Sequence, residues 1–306
     1  MQQVYYTYNS PTEQQVQVSR DFVNDVGKSS DGRLKITLFT YGELPFKPNE
    51  VVRAVATNKV HMGTGGIPFH EGDIPELNVY SQPFVCTSYQ GYAATLPYVE
   101  PIIEKYMRDK FKVSVLMHYS MPPQEIWTVA STKRLDDLKG RKIRIWSPIQ
   151  QDMLSKLGAS AVTIAGAEVP GALQRKVIDG AITSALSVAD WKIYEALDGG
   201  IMLDFMMGPH FTVVNLEEFN KLPPDLRRLL VIKGAEYSAR YRAEIELMDA
   251  RARKVLIDNG LKLNTPTSED MKKAAALMKP TWEAWTKQQG PVAAQMLQLV
   301  ERHCAD

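Results

Sequence analysis

The sequence predicts an α/β protein built as two lobes, and three observations predict it. Short β-branched or aromatic runs alternate with helical stretches from Val4 to Thr64, in the order β-α-β-α-β. That order builds a parallel sheet with helices on its faces. The alternation resumes between Tyr92 and Ala185 as a second such unit. A stretch from about 223 to about 259 then runs without a breaker. At ~1.5 Å per residue that helix would be roughly 50 Å long. This exceeds one small domain, so it reads as a brace between two lobes; a kinked pair of helices is the plainer alternative.

The elements follow in order. Val4 to Tyr8 is aromatic and β-branched, a buried strand. Pro11 and Thr12 open a helix to about Val26, with Val16, Phe22, Val23 and Val26 on one side. Ser30-Asp31-Gly32 is a turn, and Leu34 to Thr40 is the second strand. Pro48 to Thr57 reads as a helix and Val60 to Thr64 as the third strand. Tyr92 to Lys110 is helical, and strands follow at Val113 to Tyr119 and Ile126 to Ala130. Lys142 to Trp146 is a strand with a cation inside it. A helix from Ile149 to Leu157 is stopped by Gly158. Ala161 to Ile164 is a strand, Glu168 to Ile178 a helix, and Ala181 to Ala185 a strand after the Asp179-Gly180 turn. Pro223 and Pro224 start the long helix and Asn259-Gly260 ends it. Helices around Glu269 to Leu277 and Trp282 to Val300 close the chain. No low-complexity linker separates two independently threaded domains, so the chain is expected to cross between lobes several times.

Composition narrows the function. A chain of 306 residues with 44% hydrophobic and 23% charged residues can bury a sizeable core, which excludes a disordered or fibrous class. Lys+Arg 36 against Asp+Glu 35 leaves a net charge of +1, which excludes nucleic-acid or anionic-membrane binding driven by bulk charge. A local cationic site for a small anion remains open. No run reaches the ~18 apolar residues of a membrane span, so no membrane insertion is expected. The start, Met1-Gln2-Gln3-Val4, lacks a basic stretch followed by an apolar one. It reads as a cytosolic start or as a mature secreted chain behind a start Met; strand residues from Val4 onward favour the trimmed chain.

Most candidate chemistry has a plain reading. Gly63-Thr64-Gly65-Gly66 matches no nucleotide fingerprint and reads as a turn with close backbone approach. His61, His70, His118, His210 and His303 have no metal-ligand spacing, so no metal is expected and structural or pocket-lining roles are favoured. No GxSxG elbow is present. Glu71, Asp73 and Glu76 lie in a Pro- and Gly-rich loop and read as solvated. Cys86 and Cys304 form neither a CxxC motif nor a zinc knuckle, and spacing leaves their pairing open.

Arg144 is the informative residue. It lies near the C-terminal end of its strand, and ligands of open α/β sheets bind outside those ends. A guanidinium there can grip a carboxylate with two parallel hydrogen bonds. The alternative is an arginine pointing to solvent from an edge strand; Arg141 and Lys142 share the segment. Tyr6, Tyr8, Tyr119, Trp127, Trp146 and Trp191 cluster at strand ends or turns. Each could be ordinary core, but together they suit aromatic walls around a small organic ligand.

Leu138-Lys139-Gly140-Arg141-Lys142-Ile143-Arg144-Ile145 resembles a segment of the solute-binding proteins of tripartite ATP-independent periplasmic (TRAP) transporters, DctP-type. So do Leu157-Gly158-Ala159, Glu168-Val169, Ala172-Leu173-Gln174 and Val177-Ile178-Asp179-Gly180. Gly32-Arg33-Leu34-Lys35, Gly42-Glu43-Leu44, Pro75-Glu76-Leu77, Gln82-Pro83-Phe84, Tyr194-Glu195 and Leu222-Pro223-Pro224-Asp225-Leu226 match in order. The resemblance runs from about Tyr6 to Lys287.

The resemblance implies a two-lobed periplasmic-binding-protein fold with mixed sheets and a long bracing helix. Lobe I would hold 1–124 and about 213–250, lobe II 125–212 and about 251–306, with hinge crossings near 124 and 212. It implies a periplasmic receptor, not an enzyme, whose signal peptide has been removed and which needs no cofactor. A small organic acid would bind between the lobes, which close on it like a venus flytrap and deliver it to the membrane subunits of a TRAP permease. Arg144 matches the arginine that pairs with the ligand carboxylate. Tyr8 and Asn9 match a pocket-lining position, Trp146 and Ser147 follow the arginine at the cleft, and His210 lies where the chain crosses back. An asparagine that reaches the carboxylate in many relatives is Thr183 here. A second cation and a glutamate of the sialic-acid-binding relatives are Gln124 and Gly66 here. Sialic acid is therefore not expected; a monocarboxylate with an apolar or aromatic body, or a short hydroxy acid, is. A receptor of an ABC-type importer is the nearer rival. A two-lobed enzyme would need a poised acid, base or nucleophile that the sequence lacks. The effector domain of a transcription regulator would need a helix-turn-helix, for which there is no room before Val4.

Overall fold

A computed structural model describes residues 1–304. The strands are β1 (Gln2–Thr7), β2 (Lys35–Phe39), β3 (Met62–Gly66), β4 (Val113–Met121), β5 (Glu125–Thr128), β6 (Lys142–Ile145), β7 (Ser160–Thr163), β8 (Gly180–Thr183), β9 (Gly199–Ile201), β10 (Gly208–Asn215) and β11 (Lys262–Asn264). The helices are α1 (Val16–Ser29), α2 (Val51–Ala56), α3 (Tyr89–Phe111), α4 (Ile149–Lys156), α5 (Val169–Gln174), α6 (Ala185–Asp190), α7 (Leu216–Lys221), α8 (Pro224–Asp258), α9 (Ser268–Gln289) and α10 (Pro291–His303). The chain divides into two compact units. The first holds Met1–Ile74, Leu96–Ser120 and Pro209–Ile245; the second holds Pro75–Thr95, Met121–Gly208 and the chain from Glu246 onward.

The first unit is built on a sheet of order β2-β1-β3-β10-β4. β1 pairs in parallel with β2 and β3, as the β-α-β-α-β reading expects, and β10 returns antiparallel to β3. Tyr5 and Tyr6 of β1 are fully buried, as are Val18, Phe22 and Val26 of α1 and Val51, Val52 and Val55 of α2, and Tyr5 meets Phe22 edge-on at 6.3 Å. The expected helix from Pro11 begins only at Val16. The Glu13 carboxylate collects Asn9 Nδ2 at 2.8 Å, Gln15 Nε2 at 2.5 Å and the Ser10 N–H at 3.3 Å. These local bonds hold residues 10–15 in turns that compete with helix. The glycine cluster is no turn: it lies within β3 itself. Close approach is the reason for glycine there, because a Cβ on Gly63 would stand 2.6 Å from Val51 Cγ1.

The second unit carries a sheet of order β11-β9-β5-β8-β6-β7. β6 pairs in parallel with β7 and β8, while β5 runs antiparallel to β8 and β9. Ile126, Ile143, Ile145, Leu154 and Ile182 form one fully buried cluster with Phe205 and Met278. Trp127, Val169, Ala181, Val188 and Leu256 belong to another. The helix expected to reach Ile178 stops at Gln174, because Lys176 turns left-handed (φ 55°) and Val177 N–H bonds back to the Ala172 carbonyl at 2.9 Å. α9 runs through Pro280, where a break was expected, and stops instead at Gly290 (φ 81°). Tertiary anchors explain the continuity: the indoles of Trp282 and Trp285 donate to the carbonyls of Pro83 and Pro75 at 2.9 and 3.1 Å.

Those anchors also correct the expected division of the chain. Residues 75–95 were placed with lobe I, but they pack in the second unit against α9 and α10. Cys86 and Cys304 are disulfide-bonded there, across a sequence separation of 218. The expected passages near 124 and 212 fall at 120/121 and 208/209. α8 is one unbroken helix of 35 residues that runs from the first unit into the second, so the kinked pair is ruled out. Among the described residues no helix is long and apolar enough to cross a membrane.

The disulfide gives a first test. Closing so long a loop restricts the unfolded chain, so Cys86→Ser or Cys304→Ser should cost about 2–4 kcal/mol. Denaturant melts with and without reductant measure it. A reduced protein that melts like the oxidised one would show that the bridge contributes nothing.

Candidate functional site

Arg144 is 3% exposed on β6, which lies between β7 and β8. The solvent-facing alternative is thereby ruled out; Lys142 is exposed and Arg141 only half-buried. Arg144 Nε donates to the Ile164 carbonyl at 2.9 Å and Nη1 to the Ile182 carbonyl at 3.0 Å. These acceptors sit just past β7 and on β8, so both flanking strands hold the guanidinium. Its carbon lies 5.8 Å from the Trp191 ring centroid, a cation–π contact. No carboxylate among the described residues pairs with it. Burial alone pulls its pKa down to about 9, so the charge persists at neutral pH without a counter-ion. A guanidinium has five N–H donors; two are spent on carbonyls, and Nη2 keeps both of its own.

The second unit also holds five other expected residues. Thr183 ends β8 and is buried, opposite Glu125 of β5 in register, and its carbonyl accepts the Trp127 indole N–H at 2.9 Å. Trp191 follows α6. Trp146 is fixed twice: its indole N–H donates to Gln124 Oε1 at 3.1 Å and its backbone N–H to Gln150 Oε1 at 3.0 Å. Ser147 N–H shares that Gln150 oxygen at 3.4 Å. Gln124 donates through Nε2 to the Pro122 carbonyl at 2.9 Å, so its amide props the indole. Gln150, fully buried, was not among the expected residues. Its signal was in the sequence: Ser147-Pro148-Ile149-Gln150 has the S-x-x-Q spacing of a capping box.

The first unit holds the remaining three side chains and Gly66. Tyr8 hydroxyl is hydrogen-bonded to His210 Nε2, with the rings stacked at 5.8 Å. Phe69 packs edge-on to Tyr8 at 5.1 Å, and Tyr119 stacks on His210 at 5.6 Å. Burial, and after it the Glu13 charge, pushes the Tyr8 phenol well above its usual range, so it stays neutral. Gly66 pairs with His210 across β3 and β10, and a Cβ on it would meet Phe69 at 2.8 Å and His210 Nε2 at 3.1 Å. Asn9 is spent locally, accepting from Thr7 Oγ1 at 2.9 Å and donating to Glu13 at 2.8 Å. His70 is buried, and burial pushes its imidazole down to about 4. No group of residues suited to hold a metal occurs among the described residues.

The second unit has one further charged cluster. Arg253 of α8 donates through Nη2 to Glu125 Oε1 at 2.7 Å and Asp204 Oδ1 at 2.9 Å, and through Nε to Asp249 at 3.0 Å. Glu125 also accepts the N–H groups of Leu203 and Asp204 at 2.6 and 2.9 Å. Three carboxylates thus share one guanidinium.

Comparison with known proteins places these features. The family model for bacterial extracellular solute-binding proteins, family 7, matches residues 5–289. A solute-binding protein of Sulfitobacter sp. is 25% identical over 287 residues, covering 92% of this chain and 85% of that protein. A monocarboxylate 2-oxoacid-binding periplasmic protein of Nostoc sp. is 26% identical over 266 residues, covering 82% and 69%. The crystal structure of DctP6, a Bordetella pertussis extracytoplasmic solute receptor binding pyroglutamic acid, superposes with a TM-score of 0.93 at 25% identity over 99% of this chain and 100% of that one.

Proposed function

For a chain that belongs to family 7 of the bacterial extracellular solute-binding proteins, a family of receptors rather than enzymes, we propose a periplasmic receptor for a small monocarboxylate, delivering it to the membrane subunits of a TRAP permease. The observation that carries the ligand class is Arg144: a buried, charged guanidinium with both Nη2 hydrogens uncommitted and no carboxylate partner. A buried charge is costly unless paired, and an incoming carboxylate supplies the pair. With Nε bound to Ile164, the carboxylate is met by Nη2 and the second Nη1 hydrogen.

The rest of the proposed site is neutral. Gln124 stands where a second cation would be, with its amide held by Trp146 and Pro122. One cation and aromatic surfaces favour a single carboxylate on a compact, weakly polar body. Pyroglutamate and the 2-oxoacids, bound by DctP6 and named for the Nostoc relative, both have that form.

A thermal-shift panel tests this. L-Pyroglutamate, pyruvate, L-lactate and an aryl carboxylate are expected to include at least one acid that raises the melting temperature by several degrees, as tight ligands do by mass action. Stabilisation by sugar acids or dicarboxylates alone would overturn the monocarboxylate reading. Product analysis after long incubation should return the ligand unchanged.

A further inference from the structure

We propose that Gly166 and Trp191 are positioning residues for the carboxylate-binding guanidinium, Trp191 by lying against Arg144 and Gly166 by leaving room for the indole. This rests on the reading of Arg144 given above. Trp191 stands immediately after α6, and its ring centroid is 5.8 Å from the Arg144 guanidinium carbon. Gly166 stands two residues past Ile164, whose carbonyl holds Arg144 Nε. A Cβ on Gly166 would lie 2.8 Å from Trp191 Cζ2 and 3.0 Å from Cη2. Real Cβ contacts are not that short, and an indole is rigid, so any side chain at 166 must displace the ring. The φ angle at Gly166 is one any residue adopts; the glycine is there for space.

The physical consequence concerns orientation. Two carbonyls hold the guanidinium at Nε and at Nη1, and the indole fixes its face. With the group held at two nitrogens and in plane, little freedom is lost when a carboxylate docks, which is how preorganisation raises affinity. The same ring keeps water from the cation, and so strengthens the charge pair that forms. Trp191 thus acts through Arg144.

The test is a double-mutant cycle read by calorimetry. The probe is whichever of L-pyroglutamate, pyruvate or L-lactate the wild type binds most tightly. Trp191→Ala is expected to weaken binding about three- to thirtyfold. Trp191→Phe should recover part of the loss, and Gly166→Ala should fall between wild type and Trp191→Ala. In an Arg144→Lys background, both the Gly166 and the Trp191 changes should lose most of their effect. The ligand-dependent change in indole emission should shrink in both Trp191→Phe and Gly166→Ala. Full additivity with Arg144→Lys would overturn the proposal, as would unchanged affinity in Trp191→Ala. If Arg144→Lys itself binds like wild type, the reading of Arg144 fails first. If only Arg144→Lys is impaired, that reading stands and the positioning role falls.

Discussion

Arg144→Ala is expected to weaken monocarboxylate binding by at least about thirtyfold, the lower end of the roughly 2–5 kcal/mol lost when one partner of a buried charge pair is removed. The ligand's carboxylate would enter a site with no cation and no route back to water. The ligand-free protein should respond differently. There the change removes a buried charge that has no counter-ion, while leaving the carbonyls of Ile164 and Ile182 without their donor. These costs oppose each other, so the melting temperature without ligand should move far less than the ligand-induced increment. Arg144→Lys should also bind weakly, because a point ammonium cannot keep both carbonyls and present two further donors in one plane. Calorimetry with the best acid of the panel decides the matter, and affinities equal to wild type would remove Arg144 from the site.

The second large effect is on stability. Arg253→Met should cost about 3–5 kcal/mol, the penalty for stranding buried charge. Glu125 is wholly buried and Asp249 nearly so, and Arg253 is the cation both share. The cluster also predicts a pH dependence. Burial, reinforced by the Asp204 charge, pushes the Glu125 carboxyl well above its usual range against the pull of Arg253. Burial raises Asp249 likewise. A carboxyl whose folded pKa exceeds its unfolded value contributes stability below the unfolded pKa, and that contribution is lost as pH rises through the folded one. This cluster should therefore add stability as pH falls from about 8 towards 5, more steeply in Arg253→Met, and be partly offset below about 6.5 by His70, whose buried imidazole is pushed down to about 4 and resists protonation. Glu125→Gln should flatten the slope. Acids with lowered pKa, such as Asp25, lose their contribution only below the ordinary carboxylate range, outside this window. Melts that are flat in pH for all three proteins would sink the assignment.

Local chemistry made much of this legible in the sequence. β1, β2, β6 and β7 announce themselves by β-branched runs between turn residues, and α8 by the absence of any breaker. Arg144 could be picked out because a cation inside an apolar strand is unusual wherever it points. What failed to show depends on distant partners. β9 and β11 have three residues each and exist only because β5 and β9 offer them an edge. β10 opens with Gly208-Pro209 and carries no alternation, since it is buried along its whole length. The Arg253 cluster draws on residues 125 and 204, which no spacing connects to it; Asp249 alone stands at a readable helical spacing, four residues before Arg253. Pro280 misled because the Trp282 and Trp285 anchors override a local breaker. Among the expected site residues, the side-chain bonds of Asn9 go to Thr7 and Glu13 and those of Gln124 to Trp146 and Pro122, partners that no motif announces.

The place of β10 bears on how the chain is made. It sits between β3 and β4, so the first sheet has a gap until residues 208–215 arrive. A ribosome must add everything up to residue 215 before that gap can close, and the second unit waits longer still, for α9, α10 and Cys304. Until then β3 and β4 present unpaired edges, and contacts so far apart in sequence form slowly. The growing polypeptide therefore spends most of its synthesis unable to complete either unit. That delay exposes it to aggregation, and it also keeps it threadable, the condition a chain needs to pass unfolded through a narrow channel.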